Sequence, residues 1–371
     1  MTVSASFNVF RGVAVLVVFA LHNAWNCWVF LNFTNFAPAV ELFNVSDADI
    51  GLITTAGWFG IIATIPVGAL VIRKRRLMLF IAGFLNTVPA VVRYFAARYL
   101  TGSIVGYRVV VATNFAQGTA YGIFSVWPAI IPALLFPSSM HATVTAIAAL
   151  SNYAGGAIGA AFIPAYASDA AHLLHLFEVQ AVVSAVLCAA MVVWFAIPSG
   201  VAAAGDDAAA SSSASIVGVV DDNAVLLLPA AEDAFPAAAP AVASAPLTLC
   251  DELKLIAKPV VIRKIATFAM LIGITLVLQG TLQYLLTSVG FTAKHSGVGC
   301  SVYQGSAALS GVVIGLCVRD AAALPRVIRA LHAVTALSLC AFCALLVTMH
   351  LTGGFPGQLP AMIAVIVGEF I

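Results

Sequence analysis

Residues 176–197 read LFEVQAVVSAVLCAAMVVWFAI, and residues 198–213 continue PSGVAAAGDDAAASSS. The first stretch carries one acid, Glu178, in 22 residues and is otherwise nearly all apolar. As a helix it would run about 33 Å at 1.5 Å per residue, enough to cross the hydrocarbon core of a bilayer. The second stretch has no apolar period and too few large side chains to bury a core, so it reads as a flexible linker. The fold therefore follows from counting oily spans on either side of it. Six precede the linker, at about 12–36, 50–72, 77–97, 104–135, 142–167 and 176–197. Four follow, at about 265–289, 297–318, 327–350 and 356–371.

Composition agrees with that count. Hydrophobic residues make up 62% of the 371 and charged residues only 8%, with a mean hydropathy of +1.07. A soluble domain carries about 25% charge, so lipid is the solvent for most of these side chains. The runs are too long for strands and lack the alternation of a membrane barrel. In hydrocarbon each backbone group must be satisfied within its own segment, which makes the spans helices. The expected fold class is thus all-α, a polytopic membrane protein. Its domains are a six-helix bundle over 1–197, a cytosolic linker over 198–258, and a second bundle over 259–371. The tenth span ends at Ile371 without a polar flank, so the second bundle reads as incomplete, 6+4 where 6+6 is expected. The fourth span, at some 32 residues, must tilt, project, or break near Pro128 and Pro132.

Charge placement sets the orientation. With the N-terminus inside, twelve of the 16 Lys and Arg fall on the inner side, among them Arg11, Arg73-Lys74-Arg75-Arg76, Lys254, Arg263 and Arg326. Arg93, Arg98, Arg108 and Lys294 fall outside. This bias supports alternate crossing of all the spans. The formal charge of +1 and the lack of a basic stripe argue against a nucleic-acid partner. The seven cysteines are scattered in or beside the spans and in the linker, and read as small packing residues. His172 and His175 with Asp169 have a spacing that a metal accepts, but they need further ligands. No nucleophile elbow, zinc-protease or P-loop pattern is present, so neither an enzyme nor an ATP-driven pump is indicated, and no cofactor is called for.

Polar residues inside the spans are the candidates for chemistry. Trp25, Trp28 and Asn32 share one face of the first span, and His22, Asn26, Phe30 and Phe33 a neighbouring one. An unpartnered amide in hydrocarbon costs several kcal/mol, roughly, so these Asn face protein or a wet cavity. The fourth span adds Asn114, Gln117, Tyr121, Ser125 and Trp127, and the seventh Gln279 and Gln283, which stack at i, i+4. Glu369 is the only acid well inside an apparent span, which makes it a coupling or gating candidate. Gly57 with Gly60, Gly118 with Gly122, and Gly155 with Gly159 are spaced for close helix approach.

Several stretches together resemble a known family. They are Gly68-Ala69-Leu70-Val71-Ile72-Arg73-Lys74-Arg75-Arg76, Trp127-Pro128-Ala129-Ile130-Ile131-Pro132, Ser151-Asn152-Tyr153-Ala154-Gly155-Gly156-Ala157-Ile158-Gly159, His22 to Phe36, and Val367-Gly368-Glu369-Phe370. They are similar to segments of the feline leukaemia virus subgroup C receptor family of the major facilitator superfamily. That resemblance implies a two-bundle, alternating-access carrier whose relatives are associated with choline, ethanolamine or haem. It also makes Arg73, in the basic loop after the second span, a gating candidate. The family's first-helix asparagine falls at Asn26 and its cavity tryptophan at Phe30. Its fifth-helix Asn-Gln pair falls at Asn152-Tyr153. Its seventh-helix tyrosine falls near Val277 and is lost. A cage for a quaternary ammonium is then expected from Phe30, Tyr153 and Trp28, since cation–π attraction needs ring faces rather than donors. The substrate-binding set so expected is Asn26, Trp28, Phe30, Asn152, Tyr153, Gln279 and Gln283. The expected function is transport of a choline-like amine, with haem transport or a non-transporting receptor as the alternatives. The setting is a monomer in the plasma membrane, with small solute and lipid as its partners.

Overall fold

The structure, a computed structural model, describes residues 3–33, 36–64, 74–137, 140–196, 290–317 and 324–351, and a few positions between 259 and 287. Linker 198–258, most of span 265–289, span 356–371, and the candidates Arg73, Gln279 and Glu369 lie outside the described residues. The chain divides into two compact units. One comprises 1–196, 278–319 and 326–371, and is the subject below. The other, 197–277 with 320–325, falls almost wholly outside the described residues.

Every regular element among the described residues is a helix. In chain order they are α1 (Val3–Phe30, continued by a 3-10 turn Leu31–Phe33), α2 (Phe36–Phe43), α3 (Asp47–Ala63), α4 (Arg75–Tyr99), α5 (Ile104–Phe124), α6 (Trp127–Leu135), α7 (His141–Tyr166), α8 (Ala170–Ala196), α9 (Ala293–Cys317) and α10 (Leu324–Leu351). Four stretches are long and apolar enough to cross a membrane: Gly12–Phe33, Leu77–Tyr99, His141–Tyr166 and Ala170–Val193. The pair α5–α6 makes a fifth, bent by 42°. Helices α9 and α10 overlap in sequence with the expected eighth and ninth spans but are not among these stretches.

The bend has a local cause. Pro128 offers no N–H to the Phe124 carbonyl four residues back, and its ring crowds that oxygen. Helix α5 ends at Phe124, and the chain re-enters a helix at Trp127 with Pro128 in its first turn, where a missing N–H costs nothing. Pro89, Pro132 and Pro164 stay inside α4, α6 and α7. The first span also differs from expectation. It tightens to 3-10 at Leu31 and gives way to α2, which precedes a left-handed Asn44 (φ 51°). Asparagine tolerates that conformation better than most residues. Helix α3 then starts on a capping box: the Ser46 hydroxyl oxygen accepts from the Asp49 N–H at 3.3 Å, and the Asp49 carboxylate from the Ser46 N–H at 3.0 Å.

Glycines set the helix spacing. A Cβ on Gly118 (α5) would lie 2.7 Å from the carbonyl carbon of Gly57 (α3), and one on Gly155 (α7) 2.5 Å from the Ala24 Cα (α1). Backbones therefore touch along both seams, as small residues permit in membranes. Helices α7 and α9 run antiparallel: Gly297 meets Ala160 and Pro164, Gln304 meets Gly156, and Gly311 meets Leu150. Of the cysteines, Cys27, Cys188 and Cys300 are buried, in keeping with a packing role, whereas Cys340 and Cys343 are exposed on α10, which corrects that reading for them.

Candidate functional site

Helix α1 is the hub of the bundle's polar contacts, and its amides reach four different helices. Toward α7, the Asn23 amide donates to the Ala148 carbonyl and the Ser151 hydroxyl, each at 3.1 Å. Asn152 returns an N–H to the Asn23 side-chain oxygen at 3.2 Å, and its own oxygen accepts from the Tyr121 hydroxyl at 2.9 Å. Toward α4 and α5, Asn26 donates to Asn86 at 2.9 Å and to the Gln117 carbonyl at 3.3 Å. Toward α8, Asn32 and Gln180 exchange reciprocal bonds of 2.6 and 2.7 Å. The spacing of these asparagines fans them around the helix, since residues three apart turn by about 300°.

The aromatic groups converge beside this network. The Phe30 ring sits edge-on to Trp58 of α3, with centroids 5.0 Å apart, and 5.9 Å from Tyr121 of α5. It fits because position 57 has no side chain: a Cβ there would press into the ring and lie 2.8 Å from the Asn114 amide. Phe30, Trp58, Tyr121, Asn152 and Asn23 thus form one seam across α1, α3, α5 and α7. Trp28 takes a different direction, against Trp25 at 5.0 Å and Phe162 at 5.4 Å, and is half-buried. Tyr153 is half-buried beside Asn152, and Gln283 is buried with its side-chain oxygen unpartnered. Asn26 turns into the bundle toward Asn86 and Gln117, one turn before Phe30 on the same helix.

Arg93 corrects the charge map. Expected on the outer side, its side chain is instead only 1% exposed inside the bundle. It donates to the Val29 carbonyl at 3.4 Å, Thr113 at 3.5 Å, Asn114 at 3.0 Å, and the side-chain oxygen of Gln117. The faces of Phe33 and Phe177 flank it at 5.1 and 5.8 Å. Trp58 and Asn86 were not singled out in the sequence either. Trp58 has no amide or charged neighbour in its span to mark it, and Asn86 is a lone amide in the third. The one available signal for Arg93 was its place well before the end of an apolar run, where charge is costly.

Outside the spans, electrostatics are local. Hydrogen bonds from the Ser46 hydroxyl and N–H hold the Asp49 carboxyl below the usual carboxylate range. Asp169 is lowered likewise by the His172 N–H and ring, the latter at 2.7 Å. His175 turns to the Tyr166 hydroxyl at 2.6 Å instead, and no group of three potential metal ligands occurs among the described residues.

An apolar groove of about 460 Å³ runs along α1 and α7, lined by Leu16, Ala20, Ala24, Val144, Ile147 and Ser151 among others. Its wall offers almost no hydrogen-bonding group, so it is not the polar seam.

Comparison with known proteins agrees with this architecture. No curated protein sequence matches the chain. Among solved structures, the crystal structure of a D-xylose-proton symporter superposes with a TM-score of 0.52 at 11% identity, covering 100% of this chain and 88% of that one. At that identity the likeness concerns the fold. The sequence profile of the Major Facilitator Superfamily matches residues 16–370. Apolar helices packed through glycine seams around amide-bearing spans are thus those of a membrane transporter that moves a solute, and the chain belongs to the major facilitator superfamily.

Proposed function

We propose that this chain carries a small organic solute by alternating access, with choline-like amines as the leading class. The observation that supports this most is the seam at Phe30. Three ring systems meet there, and one of them, Tyr121, is held by Asn152 and Asn23 in turn. Ring faces attract a quaternary ammonium without needing a donor, and the amide chain offers oxygens to a hydroxyl. In this reading residues 1–197 form the first bundle, 198–258 a cytosolic linker, and 259–371 belong to the second bundle. Rocking of the bundles exposes the α1–α5–α7 seam to each side in turn. The N-terminus lies in the cytosol, as the charge bias argues, twelve inner charges against three once the buried Arg93 is set aside.

Radiolabelled choline and ethanolamine uptake into vesicles reconstituted with the full chain tests this. Saturable uptake above protein-free vesicles is expected. Phe30→Leu keeps the apolar bulk but removes a ring face, worth about 0.5–2 kcal/mol, so KM is expected to rise about 2- to 30-fold. Absence of saturable uptake for both amines refutes the substrate class. An unchanged KM in Phe30→Leu removes that ring from the site.

A further inference from the structure

We propose that Arg93, with the amides of Gln117 and Asn86, forms a binding site for one monovalent anion, either a carboxylate on the transported solute or a small halide. The guanidinium is buried between α1, α4 and α5, and each of its partners is neutral: two amide oxygens, a hydroxyl, a backbone carbonyl and two ring faces. A guanidinium does not shed its proton in a protein, so the charge stays. Among the described residues no carboxylate pairs with it, and a lone charge in a low-dielectric interior is costly until an opposite charge joins it.

The hydrogen-bonding balance names the sign of the missing partner. Gln117 must turn its oxygen to Arg93, because its NH2 would otherwise face another donor. That leaves the Gln117 Nε2 buried with nothing to donate to. Asn26 donates to both the Asn86 oxygen and the Gln117 carbonyl, which fixes both amides and leaves the Asn86 Nδ2 equally unused. Arg93 spends four of its five N–H groups and keeps one. Five N–H groups are therefore left over on the Gln117 Nε2, the Asn86 Nδ2 and Arg93, against one free acceptor in the same cluster, the Asn26 oxygen. A cation would find the reverse of what it needs there, and an acceptor-rich anion finds a match. The adjoining seam holds the Phe30 ring and Asn114 against the same glycine, Gly57. A solute bearing both an ammonium and a carboxylate would thus address both places at once. The carboxylate source rests on the carrier reading above, and the halide source does not.

The test is thermal unfolding of the purified full chain in detergent, followed by tryptophan fluorescence, with sodium chloride or sodium acetate titrated against sodium isethionate, whose bulky anion is neither a carboxylate nor a halide, at constant ionic strength. A saturable upward shift in Tm with chloride, acetate or both is expected. Response to chloride alone assigns an inorganic anion, and response to acetate alone assigns a carboxylate. Arg93→Lys should keep the response at about tenfold weaker affinity, having lost the forked geometry. Arg93→Gln should abolish it. Should that variant not fold, Gln117→Glu decides instead: it places a carboxylate beside Arg93 and should be as stable as the parent and indifferent to added anion. The proposal is overturned if the parent responds to no anion, if its Tm rises without saturation in every salt, or if Gln117→Glu responds as the parent does. Because this reads binding and not uptake, a failed choline assay leaves it intact.

Discussion

The glycine seam between α3 and α5 makes a sharp prediction, because one substitution should act with opposite signs at two positions on or beside it. In Gly118→Ala the new methyl would lie 2.7 Å from the carbonyl carbon of Gly57 and 3.0 Å from its Cα. Carbon–carbon contacts settle at about 3.5–4.0 Å, so the two helices must separate by about 0.8–1.3 Å. Neither side can yield by rotating a side chain, since the obstacle is backbone. Overpacking of this kind costs about 1–3 kcal/mol. The displacement would also stretch the 2.8 Å bond from Asn114 to the Ile53 carbonyl and open the Phe30–Trp58 contact. In Gly51→Ala, on α3 itself, the methyl meets nothing within 4 Å, and the backbone there is helical. Alanine there should stabilise by about 0.4–1 kcal/mol, through its higher helix propensity and the lower entropy of the unfolded chain. Thermal unfolding of the two purified variants beside the parent reads the difference: Tm falls for Gly118→Ala, and holds or rises for Gly51→Ala. A Gly118→Ala protein as stable as the parent would refute backbone contact on this seam. A matching fall in both would show that alanine is disfavoured for a reason unrelated to packing.

Two further outcomes follow from single hydrogen bonds. Tyr121→Phe keeps the ring beside Phe30 but strips the donor from the Asn152 oxygen; leaving a buried acceptor unsatisfied costs about 1–3 kcal/mol, read as a lower Tm, and an unchanged Tm would show that the bond adds nothing. The capping box at Ser46 gives a pH dependence. The folded-state pKa of Asp49 is depressed, so its stabilisation is present above the ordinary carboxylate pKa and is lost as pH falls through the lowered folded value. Acid should therefore loosen the start of α3 first, and with it the 3.0 Å bond from the Tyr107 hydroxyl to the Asp49 carbonyl, seen as faster amide exchange there; Ser46→Ala should weaken that acid sensitivity, leaving only the backbone N–H to the carboxylate.

What could be read from the chain, and what could not, divides along a physical line. The positions of the first, third, fourth, fifth and sixth spans follow from hydropathy, because the bilayer imposes length and apolarity on each helix separately. The break before Pro128 was also legible, since proline acts on its own turn. The close seams of Gly57, Gly118 and Gly155 were legible as spacing, although spacing does not say which helix meets which. Pairings across helices were not: that Asn26 meets Asn86, or that Trp58 closes on Phe30, depends on the rotation of two helices about their own axes.

Arg93 shows where a charge map drawn from sequence fails. The positive-inside rule treats each Lys or Arg near a span end as a surface charge, and at its position Arg93 passes for one. What decides its place is the set of acceptors on a neighbouring helix. Thr113, Asn114 and Gln117 offer one face of α5 at i, i+1 and i+4, and Arg93 reaches all three. A buried arginine held only by neutral oxygens is a poor use of stability by itself, since apolar packing of the same volume would serve a bundle better. The same residues make sense if the charge has work to do in the transport cycle. A site that is one negative charge short when empty, and neutral when an anion arrives, gives the bundle two states of different electrostatic energy. A ligand that favours one of two states by differential binding is what alternating access requires.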